Sequence, residues 1–595
     1  MKKQALRYSM VLLIFALSTN IGYSQDGSST ASEKEEQGEK IRFNGLGRTN
    51  LLQTGIDGNL LEGDTLTPRS LTDGEFLLDL KINATPNDKT EVQTILRLRN
   101  EFGGFFGSGM TIEVRELWAR GVIANRVKYR VGDMDMKLSK YTLYNYDEEG
   151  HVNQPAAFMP QKEIIYYEQF YGTDNTRRLQ GANLNFGLQF TDVIRDMEFT
   201  GFIARVRGTD FFTIPSRFVS GGELQFSTYS LNDSLKTKAD FGFYLAHTFD
   251  DLKSGEANTG IRNTVATFNW DLKIWDLKNT ALHFMGETGQ SWLVSKNDSV
   301  DFYSSDDSFL DLGASLHLKP QKVHVDASFL DVGPEFFSIG AQSKRIEYDA
   351  TKKYYNRAGE AQDQRSPTLF DITRDPAIYT FQLSDKLMPY DPRFSNTFPY
   401  GRATPNRRGI TVGADYGKNT DKLEARLDAA IMSEIRGQGT TELKNFTLLK
   451  AAATIHIDKY IDWEKNLRFT LGYQYELTDR GGLDVEKVNL SSNLLELGIE
   501  AEIFTDFEVL LGAKLLQAEG SDYIPRIDNF NIVSDFPGRS IIDDTETLLA
   551  GGVRYNFKEG IYITLQYHAF SSDNNLNSQQ SYNLNQIFVL YTMNF

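Results

Sequence analysis

Asn585-Gln586-Ile587-Phe588-Val589-Leu590-Tyr591-Thr592-Met593-Asn594-Phe595 closes the chain. As extended backbone it places Ile587, Val589, Tyr591, Met593 and Phe595 on one side, because alternate residues of a strand share a face. All five are apolar or aromatic. A strand with one continuous greasy face needs a cover, and the expected cover here is a bilayer rather than another element of the chain. Gln586, Thr592 and Asn594 lie on the other face, where a polar compartment is expected.

The same alternation recurs upstream. Leu467, Phe469, Leu471, Tyr473, Tyr475 and Leu477 alternate with Arg468, Thr470, Gly472, Gln474 and Glu476, and Leu495, Leu497, Ile499, Ala501 and Ile503 alternate with Glu496, Gly498, Glu500 and Glu502. Short turn signals near 86–88, 124–125, 191–196, 232–233, 276–278, 319–321, 418–421 and 458–464 alternate with longer connections at 102–110, 134–177, 208–216, 249–259, 291–308, 337–408, 433–442, 479–487, 518–545 and 571–582. Counting back from the last strand predicts about 22 strands, within a range of about 18 to 22, and an even number throughout. The first strand is placed at 41–53, and 163–170 is a candidate for one more.

The N-terminus carries Lys2, Lys3 and Arg7, an apolar run over 11–17 and Gly22-Tyr23-Ser24 before Gln25, the pattern of a cleaved signal peptide over 1–24. Residues 25–40 are polar and charge-rich and are expected to be a disordered periplasmic lead-in. No later stretch approaches the roughly 18 apolar residues of a transmembrane helix, so a membrane location requires a barrel over 41–595. The chain has no cysteine, which excludes a lipid-anchored lipoprotein, disulfide scaffolds and thiolate metal sites. A net charge of -17 argues against a nucleic-acid partner. Forty Phe and 28 Tyr accompany a mean hydropathy of -0.40, as expected for strands apolar on one face only with aromatics left over for interface girdles.

These features give the fold class as all-β: a transmembrane, antiparallel, up-and-down β-barrel with short periplasmic turns and long extracellular loops. The final strand resembles the C-terminal signal by which the barrel assembly machinery recognises bacterial outer-membrane β-barrel proteins, which assigns that role to Ile587, Val589, Tyr591, Met593 and Phe595. The chain as a whole resembles an outer-membrane porin in general form, and its Ser24/Gln25 processing site and Tyr/Asn/Asp-rich loops resemble proteins of Bacteroidota. The resemblance implies the outer membrane of a Gram-negative cell, contact with its lipid, and no cofactor. TonB-dependent transporters also have 22 strands, but the residues before the first strong strand pair are too few for their plug domain, so no plug is expected.

If the apolar faces meet lipid, the opposite faces line the lumen. Early strands then point Arg97, Arg99, Arg120, Lys128, Arg130, Arg205 and Arg207 inward, and late strands point Glu424, Asp428, Glu476, Glu496, Glu500, Glu502 and Glu508 inward. That predicts a basic wall facing an acidic one, with a transverse field between them; the competing expectation is that these charges pair with neighbours. A lumen this wide needs a filler, and 133–176 and 337–408 are long enough to fold in or to stand outside as a docking surface. Pro155 and Pro160 are expected to prevent regular structure in the first of them.

Catalytic motifs are missing. Seven scattered histidines show no ligand spacing, and no Gly-x-Ser-x-Gly elbow or phosphate loop occurs. The Asp298, Asp301, Asp306, Asp307 and Asp311 group lacks the spacing of an EF-hand and is expected to be a solvated loop. The expectation is therefore a channel for passive passage of small hydrophilic solutes, not an enzyme and without a metal. The alternative is a structural barrel that scaffolds an envelope or secretion complex through its long loops.

Overall fold

The computed structural model describes residues 40–59, 69–102, 109–147, 154–169, 174–210, 214–252, 259–297, 300–349, 352–353, 364–417, 422–524 and 538–595. The expected signal peptide and, Lys40 apart, the expected lead-in lie outside them.

Twenty-two strands form one antiparallel sheet. In chain order they are β1 (Ile41–Asp57), β2 (Ser70–Asn87), β3 (Thr90–Glu101), β4 (Met110–Ile123), β5 (Val127–Met136), β6 (Arg177–Gln189), β7 (Ile194–Arg207), β8 (Ser216–Thr228), β9 (Lys238–Asp251), β10 (Thr259–Asp276) and β11 (Thr280–Asn297). They continue with β12 (Val300–Leu318), β13 (Val323–Val332), β14 (Arg407–Tyr416), β15 (Leu423–Ser433), β16 (Asn445–His456), β17 (Leu467–Arg480), β18 (Val488–Phe504), β19 (Phe507–Ile524), β20 (Gly538–Lys558), β21 (Ile561–Asn574) and β22 (Tyr582–Asn594). Each strand pairs with its sequence neighbours, and β22 also pairs with β1, from Leu46 opposite Asn594 to Asp57 opposite Asn583. The sheet is thereby closed and has no edge. The seam extends one residue further: Gly45 N–H donates to the Phe595 carbonyl at 2.9 Å and Phe595 N–H to the Gly45 carbonyl at 3.1 Å. A Cβ on Gly45 would stand 2.8 Å from Phe595 Cζ, so the final ring packs where only glycine leaves room.

The burial pattern is inverted relative to a soluble protein. Ile431 is 71% exposed, Ile112 69% and Leu549 49%, whereas Glu546, Glu496 and Gln566 are 2% exposed or less. Apolar side chains ring the outside and polar ones are enclosed, which in water would be unfavourable over so large a continuous surface and in lipid is what the hydrophobic effect favours. The chain is an outer-membrane β-barrel in contact with lipid.

Most connections at one end are tight, such as Ala124-Asn125 with φ of 51° and 56° and the Gly560 turn with φ of 75°. That end also holds Ile41 and Phe595 and, by the rule of short periplasmic turns, faces the periplasm. The long segments 137–176 and 333–406 leave the opposite end. Two expected loops contain strand among the described residues: β11 and β12 run through 291–308, with Asn297 opposite Val300, and 518–545 includes the ends of β19 and β20. In both stretches polar residues stand on both strand faces, as Ser295-Lys296-Asn297 and Asp543-Asp544-Thr545 do, so the alternation that marks a membrane strand fades while the ladder continues. Asp301, Asp306, Asp307 and Asp311 lie on β12, not in a loop, and Asp298 is outside the described residues.

Candidate functional site: a layer of loops across the lumen

The described parts of both long segments fold inward. In the first, a 3-10 turn at Ala156–Phe158 leads into helix α1 (Met159–Glu168). This corrects two expectations at once. Residues 163–168 are helical, because Ile164-Ile165-Tyr166-Tyr167 is a β-prone run whose tertiary seat overrides propensity. Pro160 does not break the helix because it sits in the first turn, where its missing N–H is no loss. The entry turn is pressed against the wall at two inward glycines: a Cβ on Gly498 would stand 2.7 Å from Pro155 Cβ, and one on Gly512 2.9 Å from Phe158 Cε2. Phe158 and Ala157 are fully buried there, beside Leu510, Leu516, Leu548 and Phe570 of the inner wall.

The far end of α1 is clamped by arginines. Glu168 accepts from Arg48 at 2.6 Å, Arg97 at 2.8 Å and Arg99 at 2.7 Å. Arg97 is at the same time bidentate on Asp79, at 2.8 Å twice. Arg115 lies over the Tyr167 ring, 3.7 Å from its centroid, donates to the Tyr167 carbonyl and bonds Asp79 at 2.6 Å. The Tyr167 hydroxyl donates to Asp79 as well. Burial pushes the Glu168 carboxyl up, but the charges of Arg48, Arg97, Arg99 and Arg115 outweigh it and hold it at about 2. Burial pushes the Tyr167 hydroxyl up. Four cations at a helix C-terminus also complement its dipole. Arg115 reaches the lumen through a bulge in the β3–β4 ladder, between Ile95 and Leu96, which lets Arg115 and Glu116 both point inward.

The second segment carries α2 (Ile339–Gln342) and α3 (Leu369–Arg374). It is tied to the wall on several sides. Asn263 donates to the Phe337 carbonyl at 2.9 Å and accepts from Ile339 N–H at 2.9 Å. Glu546 accepts from Leu369 N–H at 2.9 Å and from Arg393 at 3.0 Å. Glu476 accepts from the N–H groups of Asn396 and Thr397 at 2.9 and 3.0 Å. The two segments also grip each other: Arg345 donates to the Asn145 carbonyl at 3.0 Å, and Ile165 packs with Ile346, Ile372 and Ile378.

Two chambers border the described part of this layer. One, of about 1280 Å3, is bounded by the periplasmic halves of β9–β16 and by Lys140, Tyr141 and Arg402 from the loops. The other, of about 380 Å3, lies toward the extracellular end against β1, β2, β3 and β22, on the opposite arc of the barrel. Helix α1 stands between them. Met159, Lys162 and Tyr166 line the larger chamber, and Gln161, Ile164 and Glu168 the smaller. Both triplets follow the spacing of one helix face, and an offset of two residues sets them about 200° apart.

The charged residues expected in the lumen are mostly paired locally. Arg97 and Arg99 hold α1. Arg130 stacks on Trp118 and donates to the Asp133 carbonyl at 2.6 Å, Arg120 pairs with Glu91, and Arg207 reaches Asp250 at 3.1 Å. Lys128 is exposed at the periplasmic rim. Arg205 does not line the lumen: it shares a strand face with Ile203, which is half exposed to the outside, and the register shift beyond it returns only Arg207 to the interior. On the late strands Glu500 is held by Arg468 and Arg554, Glu508 by Arg554 at 2.6 Å, Glu496 by Lys514 at 2.7 Å and Asp428 by Arg426 at 2.7 Å. Glu476 receives the inward loop, Glu502 accepts from Asn466 N–H at 3.3 Å, and Glu424 is half-buried near the rim. With so many charges neutralised next door, basic and acidic walls do not face each other across open space.

His324, Asp326 and Asp415 each offer an atom within 4.8 Å of the others at the floor of the larger chamber, the one such group among the described residues. Arg426 pairs with Asp415 at 2.9 Å and already supplies a positive charge there. Arg48, Arg115 and Glu168 were absent from the sequence expectations. The readable signal was different: Leu510, Leu516, Leu548, Phe570, Leu584, Phe588 and Leu590 fall on the inward face and are apolar, which only an occupied lumen explains.

No protein-family model matches the chain, and no curated protein matches it. Among solved structures it is similar to the ferric citrate transporter FecA in its unliganded form, at 12% identity and a TM-score of 0.48 over 92% of this chain and 78% of that one. It is also similar to OpdQ of Pseudomonas aeruginosa, at 9% identity and a TM-score of 0.31 over 93% and 98%. A BenF-like porin from Pseudomonas fluorescens Pf-5 matches at 7% identity and a TM-score of 0.31 over 94% and 99%. Similarity of this degree says nothing of cargo.

Proposed function

We propose that this barrel is a porin-like channel for passive passage of small hydrophilic solutes, in which the inward loop layer, and α1 above all, governs the opening. The observation that carries the reading is the helix with a chamber on each face: a purely structural filler has no need of two cavities or of a charge clamp at one end. In this reading Arg97 and Arg99 set whether α1 is docked rather than which ion passes, and the lumen is occluded by loops with no plug domain. The described occupants, which belong to 137–176 and 333–406, support that reading.

The chain is proposed to act as a channel and not as an enzyme. The C-terminal face from Ile587 to Phe595 is proposed to be read by the barrel assembly machinery. The scaffold alternative draws on 337–408 as an exposed docking surface, and the inward course of the described parts of that segment leaves it less to work with. Conductance in planar bilayers tests the proposal. The protein is expected to give small, stable openings that enlarge when Glu168 is replaced by Gln; silence in both forms would overturn it.

A further inference from the structure

The smaller chamber has an unusual lining. Among the described residues, Nε and Nη1 of Arg374 are buried with no hydrogen-bond partner, as are Oδ1 of Asn50 and Oε1 of Gln161. The Gln161 amide is oriented by its other end, which donates to Gln586 at 3.3 Å, so its carbonyl is the group left over. Arg374 ends α3 stacked over Phe370, 3.1 Å from the ring centroid. Buried polar groups without partners are costly and ask for an occupant. All three side chains line one space of about 380 Å3, within the size range of small-ligand sites.

Charge narrows the class. The walls carry five carboxylates, Asp73, Glu75, Glu168, Asp371 and Asp375, and three arginines, Arg99, Arg365 and Arg374, while Arg48 and Arg97 pair with Glu168 from behind the wall, so neither sign is left in clear excess. A lone anion would leave the carbonyl oxygens of Asn50 and Gln161 unanswered, and a lone cation would leave Arg374 unanswered. A solute with both charges answers both. Burial lowers Arg374 against the pull of Asp371 and Asp375, and an anion on its unpartnered N–H groups would offset that cost.

We propose that this chamber binds a small zwitterion of the amino-acid or dipeptide class, its carboxylate on Arg374 and its ammonium toward Asn50 Oδ1 and Gln161 Oε1, with Leu52 and Ile164 beside its side chain. The inference deepens the channel reading by naming a solute class for a site on the extracellular side of α1.

Titration calorimetry on the full barrel in detergent, with L-alanyl-L-alanine, sodium acetate and glucose as probes, tests it. The dipeptide is expected to bind saturably, at least about tenfold more tightly than acetate, with glucose silent. Arg374→Gln and Gln161→Leu are each expected to weaken the dipeptide about tenfold or more, the loss of one contact to a charged group, with the heat-induced unfolding midpoint retained. Equal binding of the three probes, no saturable binding of the dipeptide, or full binding by both variants would overturn it. A barrel that conducts without binding refutes this site alone; one that binds without conducting refutes the channel and leaves the site.

Discussion

At the scale of single residues the proposed docking of α1 turns on Glu168. Its carboxyl is held at about 2, below the ordinary value of 4.5, so the docking it provides is complete above about 4.5 and is lost as pH falls through that range toward 2. Conductance is therefore expected to rise as pH is lowered from 6 to 3, and Glu168→Gln is expected to show the larger conductance already at pH 6 with no further step of this origin. Removing one partner from a buried charge cluster costs about 3 kcal/mol, enough to shift the docked population of α1 measurably. Gly512 gives a second handle. A side chain there meets Phe158 and Ala157 at 2.9 and 3.0 Å, and Gly512→Val is expected to unseat the entry turn by overpacking, at about 1–3 kcal/mol. Limited proteolysis around 155–169 would read this as faster cleavage in the variant, and an unchanged rate would count against the seat. Residues of this kind were invisible in the sequence: an inward glycine looks like any strand glycine until its partner 350 or so positions upstream is placed against it.

At the scale of elements, strand and loop differ in how much the sequence declares. The alternation of β17 or β22 states both faces, since lipid and lumen impose a period of two. Helix α1 stated little, because its ten residues lie in a mixed environment where wall, loop and two chambers each take a side. What the sequence did offer was the apolar inner face of β19–β22, from Leu510 to Leu590, which a freely hydrated lumen would not favour. The clamp residues could not be assembled from alternation either, since Arg115 comes inward only through a bulge. As the chain has no cysteine, the element can be tested cleanly. Cysteines at Gln161 and Gln586, joined by a short bifunctional thiol reagent, are expected to lock α1 to β22 and abolish the acid-induced rise in conductance; persistence of the rise would place the moving part elsewhere.

At the scale of the whole molecule, closure decides the fold. The seam between β1 and β22 removes the sheet edge, and the outward faces of both strands must be apolar for the bilayer to accept it. Val589→Arg, on the lipid face near mid-strand, is expected to cost about 2–4 kcal/mol in urea unfolding, with less effect for a charge placed near either interface. The strand number and the placement of the turns were legible from alternation, whereas the state of the lumen depended on contacts between residues hundreds of positions apart. In the proposed function a closed wall surrounds a passage whose opening is set by α1. The most direct test compares single-channel conductance of the unmodified barrel and of Glu168→Gln in the same bilayer and salt. Small stable openings that become severalfold larger in the variant, with the barrel still folded, are the predicted result; equal conductance in the two, or none in either, would contradict it.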